Sequence, residues 1–381
     1  MTAPAGRLAS LDAFRGATIA AMLLVNNPGS WSHAYGPLLH APWHGWTFTD
    51  LIFPAFLWIV GVSLTLSTAR RIEAGADRAA LLRHAAQRSA IIFALGLLLA
   101  TFPFGLLPAH DFSLATVRIP GVLQRIAVCA LAATAIFLWT GPRGQAAWAA
   151  GLLVGYWGLL TLVPVPGYGP GVLEPKGSLA WWIDSNLLAG HTWRGAPAPG
   201  FDPEGILSTL PAIATVLCGT LAGAWMRGVR PPERTSAGLV LSGLALLAVG
   251  WAWGLVFPIN KNLWTSSYTV FMAGWSSLLF GLFHWLVDVR GWRRWAQPFV
   301  WYGMNALALF VLAGLVGRLL GLIRWTGESG AAVTLKGWLY GTFFTPYFEP
   351  INASLAFAVS FVLAFLALAW ALWRRGWFIK V

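Results

Sequence analysis

Leu39-His40-Ala41-Pro42-Trp43-His44-Gly45-Trp46-Thr47-Phe48-Thr49-Asp50-Leu51-Ile52-Phe53-Pro54 sets two imidazoles and a carboxylate at the mouth of an apolar run that reaches residue 69. A helix needs roughly 20 apolar residues to cross a bilayer, and this run is long enough. Ionisable groups are costly to hold at a membrane edge, so those at this mouth are functional candidates by default.

The same alternation continues on both sides of the stretch. The chain is 57% hydrophobic and 10% charged, whereas soluble domains carry about 25% charged residues. Long apolar runs separated by short Arg-rich clusters read as an all-α, polytopic membrane protein. Ten transmembrane helices are expected, near 11–27, 47–69, 86–103, 118–140, 146–163, 204–226, 236–257, 266–287, 297–317 and 351–373. The alternating ten-residue strands of a barrel are missing from the pattern. Asp12 and Arg15 sit in the opening turn of the first run. A signal peptide is the other reading there, opposed by the early acid and the lack of a small-residue cleavage site.

The net charge of +12 does not point to nucleic acid, because the Arg residues lie between apolar runs and form no single basic face. Their distribution is topogenic. With a cytoplasmic N-terminus, seventeen Lys and Arg fall on the inner side and six on the outer. That bias places both termini in the cytoplasm. Cys129 and Cys218 lie inside apolar runs and read as packed thiols, not as a disulfide or metal framework. Three outer loops are long, about 28–46, 164–203 and 318–350. Long loops in a compact protein are functional or disordered. Trp31, Trp43, Trp46, Trp181, Trp182 and Trp193 favour ordered packing or interfacial anchoring.

Several side chains could carry chemistry. A carboxylate beside an imidazole fixes its tautomer and stabilises its charged form, so His40 with Asp50 suits a general base or nucleophile. Spacing alone favours the plainer reading, in which Asp50 simply complements the dipole of the helix that it opens. His40 and His44 have too few companions for a metal site. Asn26 and Asn27 end the first run, where an amide either caps the helix or donates to an oxyanion.

Arg118 and Arg125 flank Ile119-Pro120-Gly121-Val122-Leu123-Gln124. Arg125 is too deep to be topogenic. It must face a cavity, an anionic ligand or an internal acid, with Asp12 and Asp50 as the candidates for the last. In Phe201-Asp202-Pro203-Glu204-Gly205, Asp202 and Pro203 fit a helix start, and Glu204 could pair with a cationic amine. Asn260-Lys261-Asn262 is either a polar substrate patch or a plain loop, and Asn305 is an amide at membrane depth. Walker, GxSxG and HExxH patterns are absent.

Taken in series, these elements resemble the catalytic membrane domain of the heparan-α-glucosaminide N-acetyltransferase family. The matching stretches are Leu11-Asp12-Ala13-Phe14-Arg15-Gly16, His40-Ala41-Pro42-Trp43 with Asp50-Leu51-Ile52-Phe53-Pro54, and Gly121-Val122-Leu123-Gln124-Arg125. Asp202-Pro203-Glu204-Gly205-Ile206-Leu207, Asn260-Lys261-Asn262-Leu263-Trp264-Thr265 and Gly303-Met304-Asn305 follow in family order.

The resemblance implies one transmembrane acyltransferase domain over residues 1–381. It would move acetyl from cytoplasmic acetyl-CoA to the amine of a glucosamine-type sugar on the opposite face. His40, Asp50 and Asn26 would be catalytic, and Arg125, Gln124, Arg118 and Asn305 would bind acetyl-CoA. Glu204, Asn260, Lys261, Asn262 and His44 would bind the acceptor, with no metal. The spacing from Asn26 to His40 is a few residues longer than in the eukaryotic enzyme, and His44 stands in place of an asparagine. Implied partners are an amino sugar or glycan, membrane lipids and a second copy in a homodimer, in the bacterial inner membrane. O-acylation of a cell-envelope glycan or lipid-linked sugar is the rival chemistry. A transporter would predict flux without coenzyme A release.

Overall fold

The computed structural model describes residues 8–105, 113–327 and 330–379; Arg7 and Lys380, counted above for orientation, lie outside them. Thirteen helices fill the described residues. They are α1 Ala9–Asn26, α2 Phe48–Glu73, α3 Arg78–Thr101, α4 Val122–Trp139, α5 Pro142–Leu162, α6 Leu179–Leu187 and α7 Thr209–Arg227. After these come α8 Pro232–Gly254, α9 Ser266–His284, α10 Gln297–Met304, α11 Ala306–Leu322, α12 Leu335–Phe343 and α13 Pro350–Arg374. One antiparallel hairpin, β1 Arg324–Thr326 with β2 Ala332–Thr334, interrupts them.

The helix starts follow local chemistry. Asp77 caps α3 by accepting from the Ala80 N–H, Ser178 caps α6 through Trp181, and Thr334 caps α12 through Gly337. Pro142, Pro232 and Pro350 open α5, α8 and α13, where a missing N–H costs nothing.

Eight helices are long and apolar enough to cross a membrane, or nine if α10 and α11 form one span. Among the described residues this accords with an all-α polytopic fold of about ten expected spans, with local differences. The first expected span, α1, is not among them, because Asp12, Arg15 and Asn26 dilute its apolar length. The ninth expected span is broken at Asn305, where α10 and α11 meet at 82°. The fourth begins at Val122, which puts Arg118 in the segment before the helix. The sixth begins at Thr209, so Asp202 and Pro203 open no helix.

The chain folds into two compact units. One comprises Met1–His40, Thr47–Ile52 and Phe283–Lys380; the other comprises Ala41–Trp46 and Phe53–Leu282. In the first, α1 lies against α10 at backbone distance. A Cβ on Gly16 would fall 1.7 Å from the Phe299 carbonyl, and one on Gly303 would fall 1.9 Å from the Asp12 carbonyl. Small residues thus permit the close approach on which apolar helices rely for packing. In the second unit the reciprocal pair Gly61 and Gly219 brings α2 onto α7 in the same way.

Two of the long loops, 28–46 and 164–203, pack against the helices. Trp43 packs with Trp181 on a buried cluster of Tyr156, Val165, Leu179, Phe201 and Leu263 in the second unit. In the first unit, residues 29–35 are stitched to α13. Gly29 N–H donates to the Ser354 carbonyl and Ser30 N–H to the Ser354 Oγ, which itself donates back to the Ser30 carbonyl. The Tyr35 hydroxyl donates to Asn352 at 2.6 Å.

Candidate active site

In the first unit the start of α2 builds a small machine from Thr47 and Asp50. Thr47 precedes the helix, and its backbone N–H donates to Asp50 Oδ2 at 3.0 Å. Its hydroxyl lies 3.2 Å from the same oxygen and 2.6 Å from the Leu39 carbonyl. A Thr followed three residues later by an acid that reaches back to its N–H is a variant of the capping box. Asp50 therefore closes the helix start with one oxygen. Its other oxygen, Oδ1, lies 2.6 Å from His40 Nδ1.

A carboxylate only accepts, so His40 Nδ1 carries the hydrogen and Nε2 is left with a lone pair. The Asp50 side chain is 1% exposed and that of His40 is 50% exposed. The buried acid orients a ring whose reactive edge can be reached. Such an imidazole can take a proton from an attacking amine, or accept an acyl group on Nε2. The two readings of Asp50, helix-start acid and partner of His40, are both realised by the same carboxylate.

Asn26 is exposed at the last turn of α1, and Asn27 makes the cap by donating from Nδ2 to the Leu23 carbonyl at 2.9 Å. Asn305 is saturated at the α10–α11 break. Its Nδ2 donates to the Trp377 carbonyl at 3.1 Å, and its Oδ1 accepts from the Ile379 N–H at 2.9 Å.

The second unit gathers the other candidates. Arg118 donates to Asp202 through Nε at 2.8 Å and Nη2 at 2.6 Å, and Nη2 also reaches Glu204 at 2.5 Å. This fork-to-carboxylate geometry is the strong form of an ion pair. Asp202 further accepts from the Trp193 and Glu204 N–H groups, so it organises a turn instead of capping α7. Burial alone would lower the Arg118 guanidinium, but its bonds to Asp202 and the charges of Glu204 and Asp202 hold it above its usual value. Burial opposes ionisation of Glu204, yet Arg118, Lys261 and Arg125 together keep it below the usual carboxylate range.

Arg125 is 2% exposed. Its Nη2 donates to the Gly205 carbonyl at 3.1 Å and to the Ser208 hydroxyl, and its guanidinium lies 5.1 Å from the Trp264 ring centre. Nε and Nη1 are buried without a hydrogen-bond partner. A buried guanidinium with two idle donors is an anion receptor by chemistry. Gln124 packs on Gly96 of α3, where a Cβ would fall 2.3 Å from its Oε1.

Asn260 Oδ1 accepts from the Leu263 N–H at 2.8 Å, so its amide nitrogen must face His44 Nδ1, 3.2 Å away. His44 is thereby set with Nδ1 as acceptor and Nε2–H as donor, the opposite tautomer to His40. Lys261 and Asn262 are half-buried beside it in sequence. Among the described residues, no three His, Cys, Asp or Glu side chains gather as a metal-ligand set.

Sequence reasoning missed Thr47, Ser208, Ser354 and Asp184. The T-x-x-D spacing was a usable signal for Thr47, and an acid inside the apolar stretch Leu179-Ala180-Trp181-Trp182-Ile183-Asp184 was one for Asp184. Nothing local marks Ser208 or Ser354.

Residues 7–248 match the family described as heparan-alpha-glucosaminide N-acetyltransferase, catalytic. The human protein named heparan-alpha-glucosaminide N-acetyltransferase is 31% identical over 355 residues, covering 80% of this chain and 52% of that protein. The mouse protein of the same name is 29% identical over 359 residues, covering 81% of this chain and 53% of its own length. The chain thus spans about half the length of the curated relatives it matches. It is an integral membrane protein, and it belongs to the heparan-alpha-glucosaminide N-acetyltransferase catalytic family.

Proposed function

We propose that the protein transfers an acetyl group from acetyl-CoA to the amine of a glucosamine-type sugar, with His40 as the group that handles the proton or the acetyl. The observation that carries this reading is the 2.6 Å contact between His40 Nδ1 and Asp50 Oδ1, which leaves Nε2 as an accessible base. In direct transfer, the amine nitrogen bonds to the thioester carbonyl carbon and its proton passes to Nε2. The C–S bond then breaks and the sulfur leaves, taking that proton. In the two-step route, Nε2 itself bonds to the carbonyl carbon and the thiolate leaves; the amine then attacks that carbon, the C–Nε2 bond breaks, and the amine proton passes to the freed Nε2 and on to the thiolate. Both need the same tautomer and the same buried Asp50. Asn26, exposed on α1, is the proposed donor to the oxyanion.

Acetyl-CoA is a substrate of this reaction, and its phosphates need cations. The idle Nε and Nη1 of Arg125 fit such a group. Arg118 is already met by two carboxylates, so its part here is to hold Glu204. Gln124 offers a further amide to that group, while Asn305 holds the C-terminal segment through Trp377 and Ile379. For the acceptor, Glu204 supplies an ionised carboxylate for an ammonium, which releases one proton to water before its nitrogen can attack, and Asn260, Lys261, Asn262 and the Nε2–H of His44 supply hydrogen bonds. The Lys and Arg bias supports cytoplasmic termini, with the acetyl-CoA side in the cytoplasm and the sugar on the opposite face.

The test is release of free coenzyme A by the purified protein in detergent, with acetyl-CoA and glucosamine, beside His40→Ala. Acceptor-dependent release lost in the variant is the expected result. Equal release in both proteins removes His40 from this role. An amide product resists hydroxylamine and an ester does not, which separates amine from hydroxyl acceptors.

A further inference from the structure

One peptide group in the second unit is held at both of its polar ends. The Gly205 carbonyl accepts from Arg125 Nη2 at 3.1 Å, and the Ile206 N–H of the same peptide donates to Asp184 Oδ1 at 3.0 Å. Asp184 comes from α6 and Arg125 from α4, and both are buried. The second Asp184 oxygen closes the remaining side, since a Cβ on residue 205 would lie 1.9 Å from Oδ2. A Cβ there would push the Asp184 carboxylate aside.

A peptide group is planar, so fixing its N–H and its C=O fixes its orientation. Turning it over would set a carbonyl against a carboxylate and an N–H against a guanidinium. The residue on the N-terminal side of this clamped unit is Glu204, whose carboxylate is gripped by Arg118.

We propose that Asp184 is a positioning residue for acceptor binding: with Arg125 it clamps the Gly205–Ile206 peptide and so holds Glu204 where an ammonium can meet it. This rests on the acetyltransferase reading and on its assignment of Glu204 to the acceptor. Asp184 does not touch the substrate. It acts through the loop.

The electrostatics give the clamp a second property. Burial pushes the Asp184 carboxyl up to about 7; the Ile206 N–H opposes this, the charge of Asp202 adds to it, and Arg125 and a backbone contact at Asp202 oppose it. Asp202, Arg125 and the Tyr156 hydroxyl are the charged and titratable groups that interact with it. The ionised carboxylate accepts the Ile206 N–H more strongly than the protonated one, so the clamp tightens as pH rises through this range. An amide at 184 can still accept the N–H but does not titrate.

The experiment compares wild type, Asp184→Ala, Asp184→Asn and Gly205→Ala as full chains in detergent. It measures KM for glucosamine, KM for acetyl-CoA, kcat from pH 6 to about 8.5, and hydrogen exchange of residues 203–207. Loss of a hydrogen bond to a charged acceptor predicts that Asp184→Ala and Gly205→Ala raise the glucosamine KM about tenfold, with acetyl-CoA KM within about twofold. Asp184→Asn restores it to within about threefold. The ratio of its KM to wild type, which cancels the titration of the amine itself, rises with pH. Exchange at Ile206 speeds up in Asp184→Ala and stays slow in Asp184→Asn.

Unchanged glucosamine KM with unchanged exchange in Asp184→Ala overturns the proposal. So does an Asn variant as impaired as the Ala variant, or a parallel rise of both KM values. Should Asp184→Ala not fold, Asp184→Asn and Gly205→Ala carry the comparison. A wild type without acetyl transfer defeats the functional reading, while the exchange measurement still decides whether the clamp exists.

Discussion

Replacing Asp50 by Asn separates the two tasks of that carboxylate. Oδ2 closes the start of α2 by taking the Thr47 N–H at 3.0 Å, and Oδ1 takes the His40 Nδ1–H at 2.6 Å. In Asp50→Asn one oxygen remains for Thr47, so the helix cap survives, and the amide NH2 turns to His40. An NH2 group only donates. His40 Nδ1 must then accept, its proton moves to Nε2, and the outward edge loses its lone pair.

The same exchange of carboxylate for amide behind an active imidazole lowers turnover by about 10⁴-fold. His40 is 50% exposed, so water can compete for Nδ1 and soften the loss. We expect kcat to fall about 10³-fold, which is about 4 kcal/mol of transition-state stabilisation. Stability should fall by less than about 1 kcal/mol, because the cap is kept. Asp50→Ala should lose as much activity and, in addition, about 1 kcal/mol for the missing cap. Coenzyme A release gives kcat, and thermal unfolding in detergent gives the stability difference. An Asn variant retaining more than about a tenth of wild-type kcat, or one as destabilised as the Ala variant, refutes the tautomer argument.

Other expectations follow from particular contacts. Ser354→Ala removes both Oγ bonds to Ser30 and frees the 29–35 segment from α13; kcat should drop several-fold with little change in either KM, read by the same assay. Asn305→Ala loses two bonds to the C-terminal segment at a cost of about 1 kcal/mol each, seen as faster hydrogen exchange at Ile379. Gly16→Leu drives a side chain into the Phe299 carbonyl and should lower the unfolding temperature, whereas Gly155→Leu, with open space around it, should not. Asp184 is a carboxyl raised to about 7 on folding. Below its unfolded value of about 3.9 both states are protonated and it adds no penalty. As pH rises from there to about 7, the unfolded state ionises first and folding loses stability. Asp184→Asn should therefore match wild type near pH 4 and exceed it in thermal stability by pH 8.

Much of the architecture was legible because a membrane makes sequence speak plainly. Long apolar runs require only hydropathy to interpret. The misreadings have specific causes. Asp202-Pro203 has the chemistry of a helix start, but the acid is taken by Arg118 and the Trp193 N–H, and α7 begins only at Thr209. The run 297–317 is apolar throughout except for Asn305, and hydropathy cannot see that this amide exchanges two hydrogen bonds with residues 377 and 379 while the helix turns by 82°. Arg125 was legible as an anomaly, and its partners were not. Gly205 and Ser208 lie more than eighty positions away or nearly so, and neither carries a pattern that names an arginine.

The candidate site was legible in proportion to how local it is. His40, Thr47 and Asp50 span eleven residues, and their geometry follows from the rule that a helix start seeks an acceptor for its open N–H groups. Once Thr47 fixes one Asp50 oxygen, the other has a set direction, and the chain folding back through the Thr47 hydroxyl to the Leu39 carbonyl brings His40 into it. Helix capping and orientation of the imidazole are thus one event. A substitution that spares the cap spares the fold and tests the chemistry alone. That is why the ten-residue spacing from His40 to Asp50 has a physical content here: lengthening it by one residue would move His40 off the carboxylate oxygen opposite the one that takes the Thr47 N–H.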